Sequence, residues 1–145
     1  MSNGGNLLLD IGPRSDGTIP TIMQDRLLDM GAWLDVNGEA VYGSHKWRSP
    51  QEGTIDNTTV RYTQAKDGAV YAFLLTWPAS PTLTLTQVNG TSQQGVVSML
   101  GLGGEALKWT PVKGQAGGVV VTLPVLTPSN LPCQYVWTLK LVNFS

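Results

Sequence analysis

Two aspartates stand where a carboxylate could do chemistry, beside the end of a short apolar run. The run is Leu7–Ile11, and a Gly-Pro pair ends it. This pattern predicts a strand buried on both faces, as in a parallel sheet or barrel. Because barrel active sites form at the carboxyl ends of strands, Asp10 could line a pocket or hold neighbouring loops. It could equally cap backbone amides of the loop that follows, and Asp16, which precedes a glycine, is typical of a turn.

The other residue types that carry chemistry are sparse. His45 is the only histidine and Cys133 the only cysteine, so neither a metal site nor a Ser-His-Asp triad is indicated. We predict that His45 lies on the surface and that Cys133 is buried. The glycine-rich run Gly101–Gly104 lacks the helix and lysine of a phosphate-binding loop, and we predict a turn there.

Length and composition exclude several classes of protein. The chain has 145 residues, 13% of them charged, and a net charge of -1. One domain plus a fragment is the natural count. Without a basic run, the chain lacks the electrostatic footprint of a nucleic-acid-binding protein, and no apolar run approaches the roughly 20 residues of a membrane span. Low charge with abundant Thr, Val, Gly and Pro suits a β-sandwich of an extracellular or lysosomal protein.

Three sequons point to the secretory route. They begin at Asn57, Asn89 and Asn143, each in a predicted loop or at the terminus, where glycans are accessible. We expect Asn57 to carry a glycan if the protein passes through that route. The first residues lack the basic start of a signal peptide, so we expect any such signal to lie upstream.

Residues 1–40 predict one strand–helix unit. The helix is expected over Ile19–Asn37, with Pro20 in its first turn and Asn37-Gly38 as a left-handed stop. One helix cannot cover both faces of the preceding strand. We therefore expect residues 1–38 to be ordered only when the rest of a barrel, another copy or a partner protein covers them. The apolar face of the helix, expected to pack in a core, consists of Ile22, Met23, Leu27, Met30 and Leu34.

The rest of the chain predicts an antiparallel β-sandwich. Glu39–Pro50 is interpreted as a loop-like connector with the domain boundary between Gly38 and Gly43, and the β module is expected to begin near Thr58. Lys66–Gly68 has hairpin chemistry. The fold class is therefore mainly β, a sandwich at 41–145 preceded by a βα unit at 1–40. The predicted strands are Thr59–Gln64, Ala69–Trp77, Thr82–Thr86, Val96–Leu100, Lys108-Trp109, Gly118–Leu123 and Gln134–Val142.

The amino-terminal half resembles a known enzyme family. Asn3–Pro13, with Asp16–Ile19 behind it, is similar to the last barrel strand of the α-L-fucosidases of glycoside hydrolase family 29. The family usually has Asn where this chain has Asp10. The resemblance is dense over the first half of the chain and sparse over the second. It continues through Arg26–Leu28, Gly31, Trp33-Leu34, Val36–Ala40 and Trp47-Arg48, and weakly through Val70–Phe73, Trp77-Pro78, Met99–Gly101 and Trp137–Leu141.

The resemblance implies that the chain is the carboxyl-terminal part of an enzyme that removes terminal α-L-fucose from glycoconjugates with retention and without a cofactor. A retaining glycosidase uses two carboxyl groups about 5 Å apart, and the resemblance places both upstream of this chain. We therefore expect no catalytic residue here. Asp10 and Trp47 are candidates for the sugar pocket, Trp47 by stacking on a sugar, whereas Trp77 and Trp137 are predicted to be core. The resemblance also implies a lysosomal or secreted location.

Two alternatives stay open from the residues themselves. The chain could be a stand-alone carbohydrate-binding module, or a structural or interaction piece within an assembly. The Leu7–Ile11 strand discriminates among these functions, because a stable free chain must cover it with something.

Overall fold

The chain folds as one helix followed by antiparallel sheets. The computed structural model describes residues 1–53, 58–90, 94–114 and 117–145. Within them, α1 (Thr21–Asn37) runs into a 3-10 turn (Gly38–Ala40), and nine strands follow. They are β1 (His45–Gly53), β2 (Thr59–Gln64), β3 (Val70–Leu74), β4 (Thr82–Leu85), β5 (Val96–Met99), β6 (Ala106-Leu107), β7 (Trp109–Pro111), β8 (Val119–Thr122) and β9 (Trp137–Val142).

The strands form two sheets. The larger has the order β1-β2-β3-β9-β5-β6 and the smaller the order β4-β8-β7. All of their pairings are antiparallel, so the predicted mainly β class is confirmed. None of the helices in the described ranges is long and apolar enough to cross a membrane.

Local sequence explains the central hairpin. Between β2 and β3, Gly68 takes φ 91° and donates its N–H to the Ala65 carbonyl at 3.1 Å. The Asp67 carboxylate accepts the Ala69 N–H at 3.1 Å. The predicted hairpin at Lys66–Gly68 is confirmed. Strand β3 ends at Leu74, short of the predicted Trp77. The Leu75 N–H still donates to the Thr59 carbonyl at 3.1 Å, and Thr59 is the first residue of β2.

The main core lies between the two sheets. In β4 the leucines Leu83 and Leu85 are buried, and the threonines between and beside them are not, as the alternation predicted. Trp77 and Trp137 meet edge to face at 5.3 Å and pack against this core while partly buried. Among the described residues, the fully buried members of the main core all lie at or after Trp47. They are Trp47, Val60, Tyr62, Val70, Ala72, Leu74, Leu83, Leu85, Val88, Val97, Met99, Val119, Val121, Leu123, Leu139, Leu141 and Phe144.

Strand β1 corrects the predicted connector. The stretch interpreted as a loop pairs with β2 from His45↔Gln64 to Gly53↔Thr59, with a register shift between Lys46 and Gln51. The β module therefore begins before Thr58. Proline is tolerated in strands at sheet edges and bulges, and β1 is both an edge strand and irregular. This explains why Pro50 concealed it in the sequence.

The ends of α1 also differ from the prediction. Pro20 is the residue before the first turn, with φ -53° and ψ 137°. Gly38 has φ -60° and ψ -32°, so the predicted left-handed stop is wrong, and the positive φ comes at Gly43, at 66°. A Cβ on Gly38 would lie 2.8 Å from the Tyr42 ring. A larger residue there would require the exposed Tyr42 ring to shift.

The apolar face of α1 is largely uncovered in this chain. Ile22, Met23 and Met30 are exposed, contrary to the prediction that they pack in a core, and Leu27 and Leu34 are half-buried. Trp33, in the second half of the helix, packs on the outer face of the larger sheet, whereas residues 21–26 are exposed.

A second apolar cluster holds the end of α1 to the larger sheet. Trp33 lies 6.3 Å from Phe73 between ring centroids and donates its Nε1–H to the Val136 carbonyl at 2.9 Å. Just past the helix, Glu39 pairs with Lys140 at 3.1 Å. The buried members of this cluster are Ala40, Ala69, Tyr71 and Phe73.

The predicted first strand is not formed. Residues 7–11 form no helix or strand, and Leu7 and Leu8 are 68% and 94% exposed. A strand exists only where a neighbour accepts and donates its backbone hydrogen bonds. Among the described residues, no segment does so for Leu7–Ile11.

We predict that residues 44–145 unfold cooperatively without the helix. The main core is retained in this truncation, whereas the packing of Trp33 and Ala40 on the sheet, the Trp33 hydrogen bond and the Glu39–Lys140 ion pair are lost. The free energy of unfolding should fall by about 2–4 kcal/mol relative to the full chain. Urea denaturation followed by circular dichroism measures this difference. A non-cooperative transition in the truncated chain would mean that α1 belongs to the same folding unit.

Candidate functional site

A cleft of about 980 Å³ lies between the amino-terminal segment, α1 and the outer face of the larger sheet. Leu7 lines it from the segment, Met30 and Trp33 from the helix, Phe73 from β3, and Tyr135 from the loop before β9. Tyr135 is unusual because it is a bulky residue at φ 71°, a conformation that costs energy for such a side chain. Most of the wall is apolar, which is typical of a surface that another part of a protein covers.

The charged groups of the cleft do not form a hydrolytic pair. Arg26 pairs with Asp29 at 3.3 Å, and Arg61 donates to the Asn3 side chain at 3.4 Å. Among the described lining residues, Asp29 is the only carboxylate. Retaining hydrolysis of a glycoside uses two carboxyl groups about 5 Å apart. This cleft therefore lacks the catalytic pair of a glycosidase.

The two amino-terminal aspartates are placed differently. Asp10 is exposed and makes no hydrogen bond within the described part of the chain, so the predicted cap of the following loop is not formed. Asp16 accepts the backbone N–H of Thr18 at 2.9 Å and its hydroxyl at 2.7 Å, while Gly17 takes φ 81°. The backbone hydrogen bond from Thr18 lowers the pKa of Asp16. The predicted turn is confirmed.

Trp47 does not fit the sugar-stacking role. It is 4% exposed, its ring lies 4.9 Å from that of Tyr62, and the Arg48 guanidinium sits 4.7 Å from its centroid. The alternation of β1 turns Trp47 toward the core and the next residue, Arg48, outward. A ring so covered presents no face to a ligand in solution.

A buried carboxylate accepts several hydrogen bonds from residues that are distant in the sequence. Glu52, on β1, is 8% exposed and accepts a hydrogen bond from the Tyr62 hydroxyl. It also accepts from the backbone N–H and hydroxyl of Thr86, at 2.8 and 2.7 Å, and from the Gln87 N–H at 3.2 Å. Arg48 donates to the Gln87 carbonyl at 2.5 Å. These contacts join the larger sheet to the chain leaving β4.

The surroundings of Glu52 change the acidity of its neighbour. Burial raises the pKa of Tyr62 well above its usual value, and the nearby Glu52 carboxylate raises it further. The sequence did not single out Glu52, because its partners lie ten and more than thirty residues away and no spacing rule connects them. The irregular strand around Pro50 also obscured which way its side chain points.

The structure also places the other residues that the sequence analysis singled out. His45 is exposed at the start of β1, as predicted. Cys133 is half-buried rather than buried; its thiol donates to the Val136 carbonyl at 3.2 Å, and burial raises the pKa of the thiol. Gly101, Gly103 and Gly104 take positive φ values of 82°, 70° and 81°, which confirms the predicted turn. No group of three or more metal-ligating side chains occurs in the described ranges.

The three sequons fall in different settings. Asn57 lies outside the described residues. Asn89 and Asn143 are exposed, and the Asn143 amide donates to the Gln94 carbonyl at 2.9 Å. The backbone of Asn89 pairs with Ser145 in both directions, at 2.6 and 3.0 Å. Asn89 and Asn143, two of the candidate glycosylation sites, therefore lie on the two chain segments that this backbone pairing joins.

Comparison with protein families decides where the chain belongs. The family model described as the alpha-L-fucosidase C-terminal domain matches residues 51–142, and the model described as alpha-L-fucosidase matches residues 1–39. The chain belongs to the α-L-fucosidase family. The resemblance seen in its sequence is confirmed over both segments.

Individual fucosidases match nearly the whole chain. The tissue alpha-L-fucosidase of Rattus norvegicus is 46% identical over 143 residues, covering 99% of this chain and 29% of that protein. The tissue alpha-L-fucosidase of Homo sapiens is 44% identical with the same coverage. The Thermotoga maritima alpha-fucosidase, solved in complex with fucose, superposes with a TM-score of 0.78 at 32% identity, over 95% of this chain and 30% of that one. The chain thus spans about 30% of the length of such relatives.

We predict that Glu52→Gln lowers the free energy of unfolding by about 2–4 kcal/mol. The amide replaces one acceptor oxygen by a donor, which leaves buried N–H and O–H groups facing it without a partner. Urea denaturation measures the change. Glu105→Gln, at an exposed carboxylate, is the matched control and should change stability by less than about 0.5 kcal/mol. Equal effects of the two substitutions would contradict a structural role for the Glu52 site.

We also predict that stability declines above pH 10 through Tyr62. The folded chain holds the Tyr62 proton beyond the ordinary pKa of 10.0, whereas the unfolded chain loses it there. The stabilising effect is therefore complete below pH 10 and is lost as pH rises. Burial also raises the pKa of Tyr71, so Tyr62→Phe should reduce the slope of stability against pH without abolishing it.

The readout is the urea midpoint between neutral and alkaline pH. Tyr42→Phe, at an exposed ring, is the control and should leave the slope unchanged. An unaltered slope in Tyr62→Phe would show that the Tyr62 hydroxyl is not the group that titrates.

Proposed function

We propose that this chain is the carboxyl-terminal portion of an α-L-fucosidase that hydrolyses terminal α-L-fucose from glycoconjugates, and that the chain itself is non-catalytic. The observation that carries the proposal is the family match over both segments, joined to a cleft that lacks a carboxylate pair. On this account the substrate is a fucosylated glycoconjugate bound by the full-length enzyme, and no cofactor takes part.

The proposed division of labour assigns residues 1–40 to a barrel and residues 41–145 to a sandwich. Leu8 is 94% exposed and Leu28 on α1 is 72% exposed, and each large aliphatic side chain left in water forfeits roughly 1.5–3 kcal/mol of burial free energy. A barrel strand is paired on both edges and covered on both faces. Upstream strands would pair with Leu7–Ile11, and the upstream helices would cover the exposed face of α1.

Asp10 keeps a candidate role at the substrate pocket. It stands at the carboxyl end of the proposed barrel strand, the end at which barrel enzymes bind their substrates. Its carboxylate makes no hydrogen bond within the described chain and so is available to a neighbouring loop or a sugar hydroxyl. Trp47 has no such availability, because its ring is buried against the core.

We place the full-length protein in the lysosome or outside the cell. The names of its relatives, plasma and tissue alpha-L-fucosidases, support this location. Exposure of the sequon asparagines Asn89 and Asn143 supports it as well, because glycans require surface positions. We propose Asn57, Asn89 and Asn143 as the glycosylation sites.

A chimera tests the proposed function. In it, this chain replaces the 143 matching residues of the rat tissue alpha-L-fucosidase. We predict that the chimera hydrolyses an aryl α-L-fucoside, whereas the isolated chain shows no turnover above buffer. The chimera should be active because its barrel supplies both catalytic carboxyl groups and this chain supplies the last strand and helix.

Leu8→Asp provides the matched variant. In the chimera it should lower the fucosidase activity at least about 100-fold, because a charge would be buried at a barrel strand. In the isolated chain it should leave the melting temperature unchanged, because Leu8 is exposed there. A folded but inactive chimera would contradict the proposal, as would activity of the isolated chain that Asp10→Asn removes.

A further inference from the structure

The chain contains three Asn-Gly pairs, Asn3-Gly4, Asn37-Gly38 and Asn89-Gly90. In such a pair the backbone nitrogen of the glycine can attack the side-chain amide carbon of the asparagine, because glycine has no Cβ to hinder the approach. The attack needs a glycine N–H that is free of hydrogen bonds and an asparagine side chain that can turn. The structure supplies these conditions unequally at the three pairs.

The pair at the end of α1 is protected. Asn37 is fully buried, and its amide donates to the Trp33 carbonyl at 3.1 Å. The N–H of Gly38 donates to the Leu34 carbonyl. Both reacting groups are therefore held by the helix, and reaction requires that the helix end open first.

The pair near the amino terminus is partly protected. The N–H of Gly4 donates to the Met1 carbonyl at 2.7 Å, and the Asn3 side chain accepts from Arg61 at 3.4 Å. These are exposed, local contacts, which break more readily than those of a helix. This pair is expected to react at an intermediate rate.

The pair Asn89-Gly90 has the least hydrogen-bond protection of the three within the described residues. Asn89 is exposed, and within the described residues neither its side chain nor the Gly90 N–H makes a hydrogen bond. The asparagine main chain is nevertheless fixed, since its N–H and carbonyl both pair with Ser145 at 2.6 and 3.0 Å. The carbonyl of the preceding residue, Val88, accepts the Gly118 N–H at 3.0 Å. The Asn89 side chain lies against Gly117, but no hydrogen bond to a described residue holds either reacting group.

Packing also requires the glycine. A Cβ on residue 90 would collide with the Phe144 ring, which is 7% exposed and meets Trp109 edge to face at 4.8 Å. A larger residue at position 90, which would slow the reaction at Asn89, is therefore excluded by packing. The absence of a Cβ at Gly90 both makes room for the Phe144 ring and leaves Asn89 open to attack.

We propose that Asn89 is a site of spontaneous deamidation through a succinimide. The Gly90 nitrogen forms a bond to Cγ of Asn89, the Cγ–Nδ2 bond breaks, and ammonia leaves with the proton from Gly90. Water then opens the five-membered ring. Cleavage at one carbonyl gives aspartate, and cleavage at the other gives isoaspartate, in which the main chain runs through Cγ.

The isoaspartate product changes the structure around it. It adds one methylene to the main chain at the residue that pairs with Ser145, beside Phe144. Both the backbone pairing of Asn89 with Ser145 and the packing of Phe144 are disturbed, so the modified protein melts at a lower temperature. Aspartate at the same position adds only a surface charge.

Deamidation and glycosylation compete for the same atom. Asn89 begins one of the three sequons, and a glycan would be attached to Nδ2, the group that leaves in succinimide formation. Asn89 that carries a glycan is shielded, and Asn89 without one is the reactive form. The deamidation itself does not depend on the proposed fucosidase function.

The test uses the full chain made in bacteria, which leaves Asn89 without a glycan. The folded protein is incubated in mildly alkaline buffer containing heavy-oxygen water, and peptides are mapped by mass spectrometry. We expect label at Asn89 to accumulate at least roughly tenfold faster than at Asn37, because reaction at Asn37 first requires loss of helix hydrogen bonds. In urea, where the fold is absent, the three pairs should convert at similar rates.

Asn89→Gln supplies the control variant, since a longer side chain closes the ring poorly. It should accumulate the acidic species that isoelectric focusing detects more slowly than the wild-type chain does, with only the slower reaction at Asn3 remaining, while its melting temperature before ageing stays the same. Equal rates at Asn89 and Asn37 in the folded protein would overturn the proposal. So would an Asn89 that stays unconverted when folded but converts in urea.

Discussion

A strand with large aliphatic side chains on both faces needs neighbours on both faces and on both edges. Leu7–Ile11 has that sequence, and the described part of the chain does not supply those neighbours: its leucines are exposed and no described segment pairs with it. The same constraint accounts for the bare apolar face of α1 and for the apolar cleft beside it. These surfaces share one explanation in our proposal, which is that a barrel would cover them in the full-length protein.

The β-sandwich is stabilised independently of the uncovered surface that Leu7–Ile11 and α1 form. Its main core draws on both sheets, and the buried carboxylate of Glu52 connects them by accepting from Tyr62 on one side and from Thr86 and Gln87 on the other. A buried charge is tolerated only when its hydrogen bonds are satisfied. Contacts of Glu52 therefore fix how the larger sheet meets the chain leaving β4. The helix end is attached through a separate cluster around Tyr71 and Phe73.

How far the sequence predicted this structure depends on whether the contacts were local. The Leu-Thr alternation of β4 and the turn at Gly68 are local features, and both were predicted. Strand β1 was missed because Pro50 and the irregular register mask its alternation, although an edge strand tolerates both. Trp47 was misassigned for the same reason. The Glu52 site depends on residues far apart in the chain, which no local pattern reveals.

Hydrogen exchange at the backbone amides of Leu7–Ile11 tests the central claim most directly. The measurement compares the isolated chain, shown to be monomeric, with the rat fucosidase chimera that contains it. If the segment is a barrel strand awaiting its neighbours, its amides exchange rapidly in the isolated chain and slowly in the chimera, because only there are they hydrogen-bonded. Slow exchange throughout Leu7–Ile11 in the isolated monomer would contradict the account, because it would mean that the chain covers this strand by itself.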